Sequence, residues 1–346
     1  MGLDISSTAV KLLELHEKDG HFRVESYAVA PLPANAITEN NINETSSVTE
    51  AILSVLSKSK TKLKEAAVAV SGSAVITKVI EMPLGLSEEQ MELQVSNDAE
   101  QYIPFPIEEV ALDFEVIEER EDGSATAEVL LAACRRENID TRVESLQAAG
   151  LDTKIVDIQA YAMERAFKLI LPQLDGHDES AVVAIIDVGA RMTSLNVLQG
   201  FNTVYSREQL FGGHQLTEEI QRRYGLSHEE AGIAKKQGGL PDDYEHEVLA
   251  PFLDSVVQQI IRSLQFYFSS SQHEEVDYVV LAGGVASMDG VAELVQDRLG
   301  TACFVANPFS NMSVSPQVNS IALSNDAPAL MVACGLSMRG LDRGHH

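Results

Sequence analysis

Apolar and polar residues alternate from the start of the chain. Residues 3–15 read as strand, broken by a small turn at Ser6-Ser7, and residues 22–30 alternate as a further strand. Pro31 and Pro33 end this sheet, and a polar, Asn-rich stretch runs to Ser47. Val48, Ile52, Val55 and Leu56 then recur at helical spacing and predict a helix over 48–57. Residues 64–150 read as an inserted α+β unit, opening with strands at 66–70 and 75–81 joined by Ser71-Gly72-Ser73. Ser87 with Gln90 three positions on is a capping box and starts a helix that runs to about 101. Pro104 and Pro106 exclude helix there. Strands are expected at 110–118 and 128–134 around Glu121-Asp122-Gly123, and a helix at 139–149 stops at Gly150.

The second half opens with a nearly all-apolar run at 182–188, the pattern of a strand buried on both faces. A strand at 201–210 leads to Gly212-Gly213, and helices are expected at 214–224, 227–237 and about 251–268. The last carries Phe252, Val256, Ile260, Leu264 and Phe268 as a core stripe, with Pro251 in its first turn or at a kink. A strand at 278–282 and a helix at 288–300 follow. Residues 327–339 form an expected terminal helix whose Ala333, Gly335 and Ser337 permit close packing.

The chain has 346 residues, which suits two domains, and 45% of them are apolar, so each can bury a core. The net charge of −27 argues against nucleic acid and against a bare anionic membrane as partner. The cluster Lys58, Lys60, Lys62 and Lys64 reads as a solvated helix end. Cys134, Cys303 and Cys334 lack metal-ligand spacing and are expected as buried thiols in a reducing, cytoplasmic setting. The nine histidines show no metal-ligand spacing apart from the terminal pair His345-His346, which reads as a tag remnant. The abrupt start suggests a trimmed N-terminus. Apolar runs such as 181–186 fall far short of the ~20 residues that span a bilayer, so direct membrane insertion is not expected.

One motif occurs twice. Leu3-Asp4-Ile5-Ser6-Ser7 and Ile186-Asp187-Val188-Gly189-Ala190 are each an apolar strand that delivers an Asp into a turn of small residues, 187 − 4 = 183 positions apart. Backbone N–H groups in such turns cradle phosphate oxygens, and an Asp at the strand end holds magnesium through water. Two such turns suggest two related domains closing on one nucleotide. Val279-Val280-Leu281-Ala282-Gly283-Gly284 is a strand ending in a Gly pair, which lets a flat ligand approach the backbone. Val156-Asp157-Ile158-Gln159-Ala160 leads into a helix at 161–171, where Gln159 could orient a water toward a terminal phosphate. Taken singly, each of these is also an ordinary strand–turn or helix start.

Their order resembles that of the actin, Hsp70 and sugar-kinase superfamily: phosphate turn, connecting helix, phosphate turn, adenosine turn, connecting helix. The first turn keeps Lys11, as actin does, and Ile158-Gln159-Ala160 is similar to the actin helix that carries a water-positioning Gln. The segment 211–236 and the position of the insert resemble the cell-division protein FtsA. Closer still is the likeness to the PilM family of type IV pilus assembly, carried by residues 4–15, Tyr102-Ile103-Pro104-Phe105-Pro106, and residues 130–135, 207–243 and 326–335.

The resemblance implies an α/β, actin-like ATPase fold: two related ribonuclease H-like domains around a nucleotide cleft, with an FtsA-type inserted α+β subdomain. It implies a first domain of 1–63, 151–180 and 326–346, an insert of 64–150, and a second domain of 181–325 with a helical nucleotide-binding part at 211–275. For ATP and Mg2+ it implies Asp4 and Asp187 at the metal, and Ser6, Ser7, Lys11, Gly189 and Thr193 at the phosphates. Gly213, Lys235, Gly283, Gly284 and Ser287 would hold the rest of the nucleotide. Gln159, Asp4 and Asp187 would act in any hydrolysis. Two departures bear on nucleotide grip: Gly232 stands where FtsA-like proteins place a ribose-binding Glu, and Ala190-Arg191 replace an acidic residue and Gly of actin.

The implied partner is the short cytoplasmic N-terminal tail of the inner-membrane protein PilN, docked in a groove near the insert. That would place the chain in the cytoplasm, peripheral at the inner membrane, in the machinery of twitching motility. Pilus motor ATPases and a second copy of the chain are further implied candidates. A nucleotide-binding scaffold with at most slow hydrolysis, an actively cycling ATPase and a self-polymerising filament all stay open. A sugar or acetate-type kinase ranks low, because no acid with a sugar-binding polar loop is found to deprotonate a substrate hydroxyl.

Overall fold

The computed structural model describes residues 1–99, 101–119, 126–174, 176 and 180–342, so the expected turn at 121–123 and the pair His345-His346 lie outside it. The chain opens as a meander of β1 (Gly2–Ile5), β2 (Ala9–Lys18) and β3 (His21–Pro31). A small hairpin of β4 (Ile37–Thr38) and β5 (Asn41–Ile42) precedes helix α1 (Thr45–Ser59). Strand β6 (Glu65–Val70) returns to the sheet beside β1. An excursion follows: β7 (Val75–Pro83), α2 (Glu88–Ala99), β8 (Val110–Glu119) and β9 (Thr126–Arg135). Helix α3 (Arg136–Ala148) leads back to β10 (Asp152–Ile158), which pairs parallel with β6, and α4 (Gln159–Phe167) crosses to the second half.

That second half repeats the plan. Strands β11 (Val182–Val188), β12 (Thr193–Gln199) and β13 (Asn202–Gln209) form another meander. Helices α5 (Gly213–Tyr224), α6 (His228–Gln237) and α7 (Ala250–Ser270) come next. Strand β14 (Tyr278–Ala282), α8 (Val291–Leu299) and β15 (Ala302–Val305) complete the sheet. Strand β16 (Ser313–Val314) pairs with β3 of the first sheet, and α9 (Ser320–Asp326) and α10 (Met331–Arg339) close the chain.

The large sheets run β10-β6-β1-β2-β3-β16 and β13-β12-β11-β14-β15. In both, an antiparallel meander lies on one side of the first strand and parallel strands on the other. The doubled sequence motif is thus a doubled topology. Val183 to Ile186 of β11 are wholly buried, as their unbroken apolar run demands. In α7, Phe252, Val256, Ile260 and Leu264 are buried, but Phe268 is only half-buried and Tyr267 takes its place. A strict four-residue spacing overshoots the 3.6-residue turn, so the stripe rotates off the core by its fifth member.

Within the expected insert of 64–150, Ala66, Val68, Leu146 and Ala149 share a core with α1 and the first sheet. Residues 71–135 leave that sheet as an excursion, whose three strands β7-β9-β8 bury Met82, Val129 and Leu131 against Val95 and Ala99 of α2. Cys303 is half-buried, whereas Cys134 and Cys334 are buried, and all three thiols are free.

A further core joins the halves. Leu13 and Ala67 of the first sheet and Val183, Ile185 and Val280 of the second pack around Ala162, Met163 and Phe167 of α4 and Ala333 and Leu336 of α10. The small residues expected at 333–337 do permit close approach: a Cβ on Gly335 would overlap the Ala162 carbonyl, and the Ser337 hydroxyl accepts from Leu15 N at 3.0 Å. Residues Ser320–Arg339 are long and apolar enough to cross a membrane, but 67% of that window is buried inside the protein.

Candidate functional site

The first turn leaves β1 at Ile5 and re-enters the sheet at Ala9, closed by Ser6, whose N–H and hydroxyl both donate to the Ala9 carbonyl (3.0 and 2.9 Å). Asp4 is buried just before it, and antiparallel pairing sets Asp4 opposite Lys11. The Lys11 ammonium lies 2.9 Å from Asp4 Oδ2. Burial works against that ammonium, yet the charges of Asp4, Asp187 and Asp326 together hold its pKa above the ordinary lysine value.

The second turn is built alike. Gly189 N donates to the Met192 carbonyl at 2.9 Å, and the turn's own carbonyls are tied down by Gly213 N and His214 N at the start of α5 (3.0 and 2.7 Å). A Cβ on Gly212 would lie 2.6 Å from the carbonyls of both Gly189 and Ala190, so only glycine lets α5 seat here. The Thr193 hydroxyl donates to the Phe211 carbonyl at 2.9 Å and faces the interior.

Asp187 is the most perturbed acid. Burial first, then the charges of Asp4 and Glu208, push its carboxyl up to about 6, with Lys11 opposing. Gly283, at φ +85°, passes so close that a Cβ would overlap Asp187 Oδ1 and the Val188 carbonyl, whereas Gly284 faces open space. Gly283 N donates to the Pro328 carbonyl (2.8 Å) and Ser287 Oγ to the Asn325 carbonyl (3.2 Å), so the Gly pair is tied to the segment that leads into α10. Lys235 donates to the Gly213 carbonyl (3.0 Å) and Thr217 Oγ1 (2.9 Å). Its burial, aided by Lys236, brings the pKa down to about 8. Gln159 is half-buried at the first position of α4. Pairing of Ile158 with Val70 brings it out at the same end of the first sheet as Asp4.

Asp4, Lys11 and Asp187 are thus brought together electrostatically, with Gly283 against Asp187. Gly189, Gly213 and Lys235 form a second group on the α5 side. Sequence reasoning missed two contributors. Arg191, read above only as a departure, has a buried Nε with no hydrogen-bond partner and lies near enough to His214 to help lower that imidazole's pKa, behind burial. Asp326 carries a carboxyl raised by burial and balanced by Lys236 and Lys11. No local pattern marks either residue, because their neighbours are distant in the chain.

The two groups differ in charge. Around Asp187 stand Asp4 and Glu208 against one Lys11, an excess of carboxylate that suits a cation. Around the second turn stand Arg191 and Lys235 beside the start of α5, a setting that suits an anion. Among the described residues no group of three or more metal-ligating side chains occurs. A pair of aspartates fits magnesium in particular, which keeps most of its water and takes the remaining ligands from phosphate.

Paired sheets of one strand order, each delivering an aspartate through a small-residue turn, buried at Asp4 and half-buried at Asp187, define an actin-like ATPase fold. The chain matches the model of the type IV pilus assembly protein PilM over residues 2–341, and it belongs to that family. It is similar to the PilM of the PilM-PilN type IV pilus biogenesis complex, with 29% identity, a TM-score of 0.81, and coverage of 99% of this chain and 98% of that one. A more distant relative is the cell division protein FtsA of Bacillus subtilis, 22% identical over 89% of this chain and 78% of that protein. The ethanolamine utilization protein EutJ of Carboxydothermus hydrogenoformans shares the fold at 15% identity and a TM-score of 0.57, with 97% and 88% of the two chains covered.

Proposed function

We propose that this pilus-assembly protein is an ATP-binding scaffold that holds Mg-ATP between its two halves and docks the cytoplasmic N-terminal tail of PilN beside the 71–135 excursion. The supporting observation is the split electrostatics of the site, with acids at Asp4 and Asp187 and cations at Arg191 and Lys235. The two aspartates would hold magnesium through its waters. Ser6, Ser7, Lys11 and Gly189 would meet the phosphates, with Thr193 fixing the second turn from within. Gly213, Lys235, Gly283, Gly284 and Ser287 would border the nucleoside. Bound magnesium would supply charge neutralisation of the phosphates, and Gln159 would orient a water.

In this reading the first domain is 1–63, 151–180 and 326–346, the insert 64–150 and the second domain 181–325, with β16 of the second pairing back onto β3 of the first. The excursion leaves Val79, Leu93, Tyr102 and Ile117 exposed, and β7 and β8 are its edge strands, a surface suited to an extended peptide. Through that peptide the protein would sit at the inner membrane from the cytoplasmic side.

The test loads the purified protein with Mg-ATP overnight, removes free nucleotide and identifies what remains by chromatography. Retained ATP supports the scaffold, and retained ADP points to a cycling ATPase. No retained nucleotide sinks the reading. Polarisation of a labelled PilN tail peptide, with and without Mg-ATP, checks the partner.

A further inference from the structure

Glu208 stands on β13, at the edge of the second sheet, yet among the described residues its carboxylate accepts its hydrogen bonds from the other half. Ser71 Oγ donates at 2.8 Å, Asn40 Nδ2 at 3.2 Å and Ser73 N at 3.4 Å. The Ser71-Gly72-Ser73 turn wraps the carboxylate, and a Cβ on Gly72 would lie in ordinary contact with Glu208 Oε1, at 3.4 Å.

Asn40 sits at the tip of the β4–β5 hairpin. Glu39 and Asn40 both take left-handed backbone, at φ 49° and 65°, as a two-residue type I′ turn requires. Strands of two residues hold themselves poorly, so contacts made by the tip fix this hairpin in place.

Behind Asn40 lies Arg142 of α3, 2% exposed. Its guanidinium donates to three carbonyls: Asn40 (3.0 Å), Ala69 at the end of β6 (3.0 Å) and Asn138 of α3 (2.7 Å). Ala69 lies just before the excursion and Asn138 just after it. One buried cation therefore clamps both ends of the stem to the same turn that grips Glu208.

We infer that Glu208 is a positioning residue: through Asn40, the Ser71-Gly72-Ser73 turn and Arg142 it ties the second half of the molecule to the stem of the 71–135 excursion, so that the two move together. This rests on the scaffold reading only for the cause of the movement, which is nucleotide binding between the halves.

Hydrogen–deuterium exchange on the full chain tests it, first without nucleotide. Glu208→Ala removes a charged acceptor and is expected to speed exchange about tenfold at 37–42 and 71–74, and also along α3. Glu208→Gln keeps an acceptor for Ser71 and should restore much of the protection. Amides of β14 should hold wild-type rates and report that the variant is folded. If 37–42 and 71–74 respond while α3 does not, the contact is local and the coupling is overturned. If none responds, the tie itself is overturned. With Mg-ATP added, protection of α3 should rise in the wild type but not in S71A, which removes the nearest donor to Glu208 and leaves the acids around Asp187 in place, while residues 186–193 are protected in both. Failure of Mg-ATP to protect 186–193 in the wild type would sink the scaffold reading, and the nucleotide-free arm would still judge the tie.

Discussion

Gly335 of α10 lies directly on the backbone carbonyl of Ala162 in α4, with no room for a Cβ between them. This crossing sits in the core that both large sheets share. Gly335→Ala must separate the helices, and overpacking of that kind costs about 1–3 kcal/mol or more. The expected result is a lower urea midpoint with an unchanged slope. A wild-type midpoint would mean that the helices part freely.

Asp187 gives the fold a pH dependence. Its carboxyl is raised to about 6 in the folded protein from an ordinary 3.8, so the protonated form is favoured on folding. The stabilisation is complete below the unfolded value and is lost as pH rises through about 6. At neutral pH the buried carboxylate costs up to about 3 kcal/mol. Without nucleotide, D187N is expected to exceed the wild type in stability at about pH 8, with the advantage fading toward about pH 4. Urea titrations at both pH values check this, and a difference that does not vary with pH would contradict it.

Lys235 should report an anion. Burial holds its pKa at about 8, and a phosphate nearby would raise it. Mg-ATP binding at about pH 9 is therefore expected to take up protons. Calorimetry in two buffers of different ionisation heat measures that uptake, and Lys235→Met should remove it. Equal uptake by the variant would place the anion elsewhere.

The Gly283-Gly284 pair separates two roles. Gly283→Ala forces left-handed backbone and a clash with Asp187, for an expected loss of about 2 kcal/mol or more together with nucleotide retention. Gly284→Ala meets open space and should leave the fold near wild-type stability. Thermal unfolding and retained-nucleotide assays on the pair would show it, and equal damage from both substitutions would refute it.

Much of this was legible in the sequence. The apolar run of β11 and the Ser87–Gln90 capping box depend on neighbours in the chain, and the box forms as expected (Ser87 N to Gln90 Oε1, 2.9 Å). Asp4 and Asp187 stood out because their motif is repeated. Arg142 did not: nothing in Arg136–Ala148, an otherwise polar helix, marks one charged side chain as fully buried. Glu208 and Asn40 lie 168 positions apart, so neither has a local pattern to betray it. Periodicity identifies β6 as a strand but does not say which sheet receives it.

The hydrogen bond from Leu15 to Ser337 joins positions 322 apart, and Gly2 lies against Ala333. Strands β1 and β2 are thus translated long before the helix α10 that packs on their inner face. Until α10 arrives, Leu13 and Ala67 have only the partial cover that α4 gives, and the nascent chain carries a half-open apolar seam. Truncation within α10 would act on β1 and β2, and a late-arriving α10 is the piece on which productive closure of this core turns.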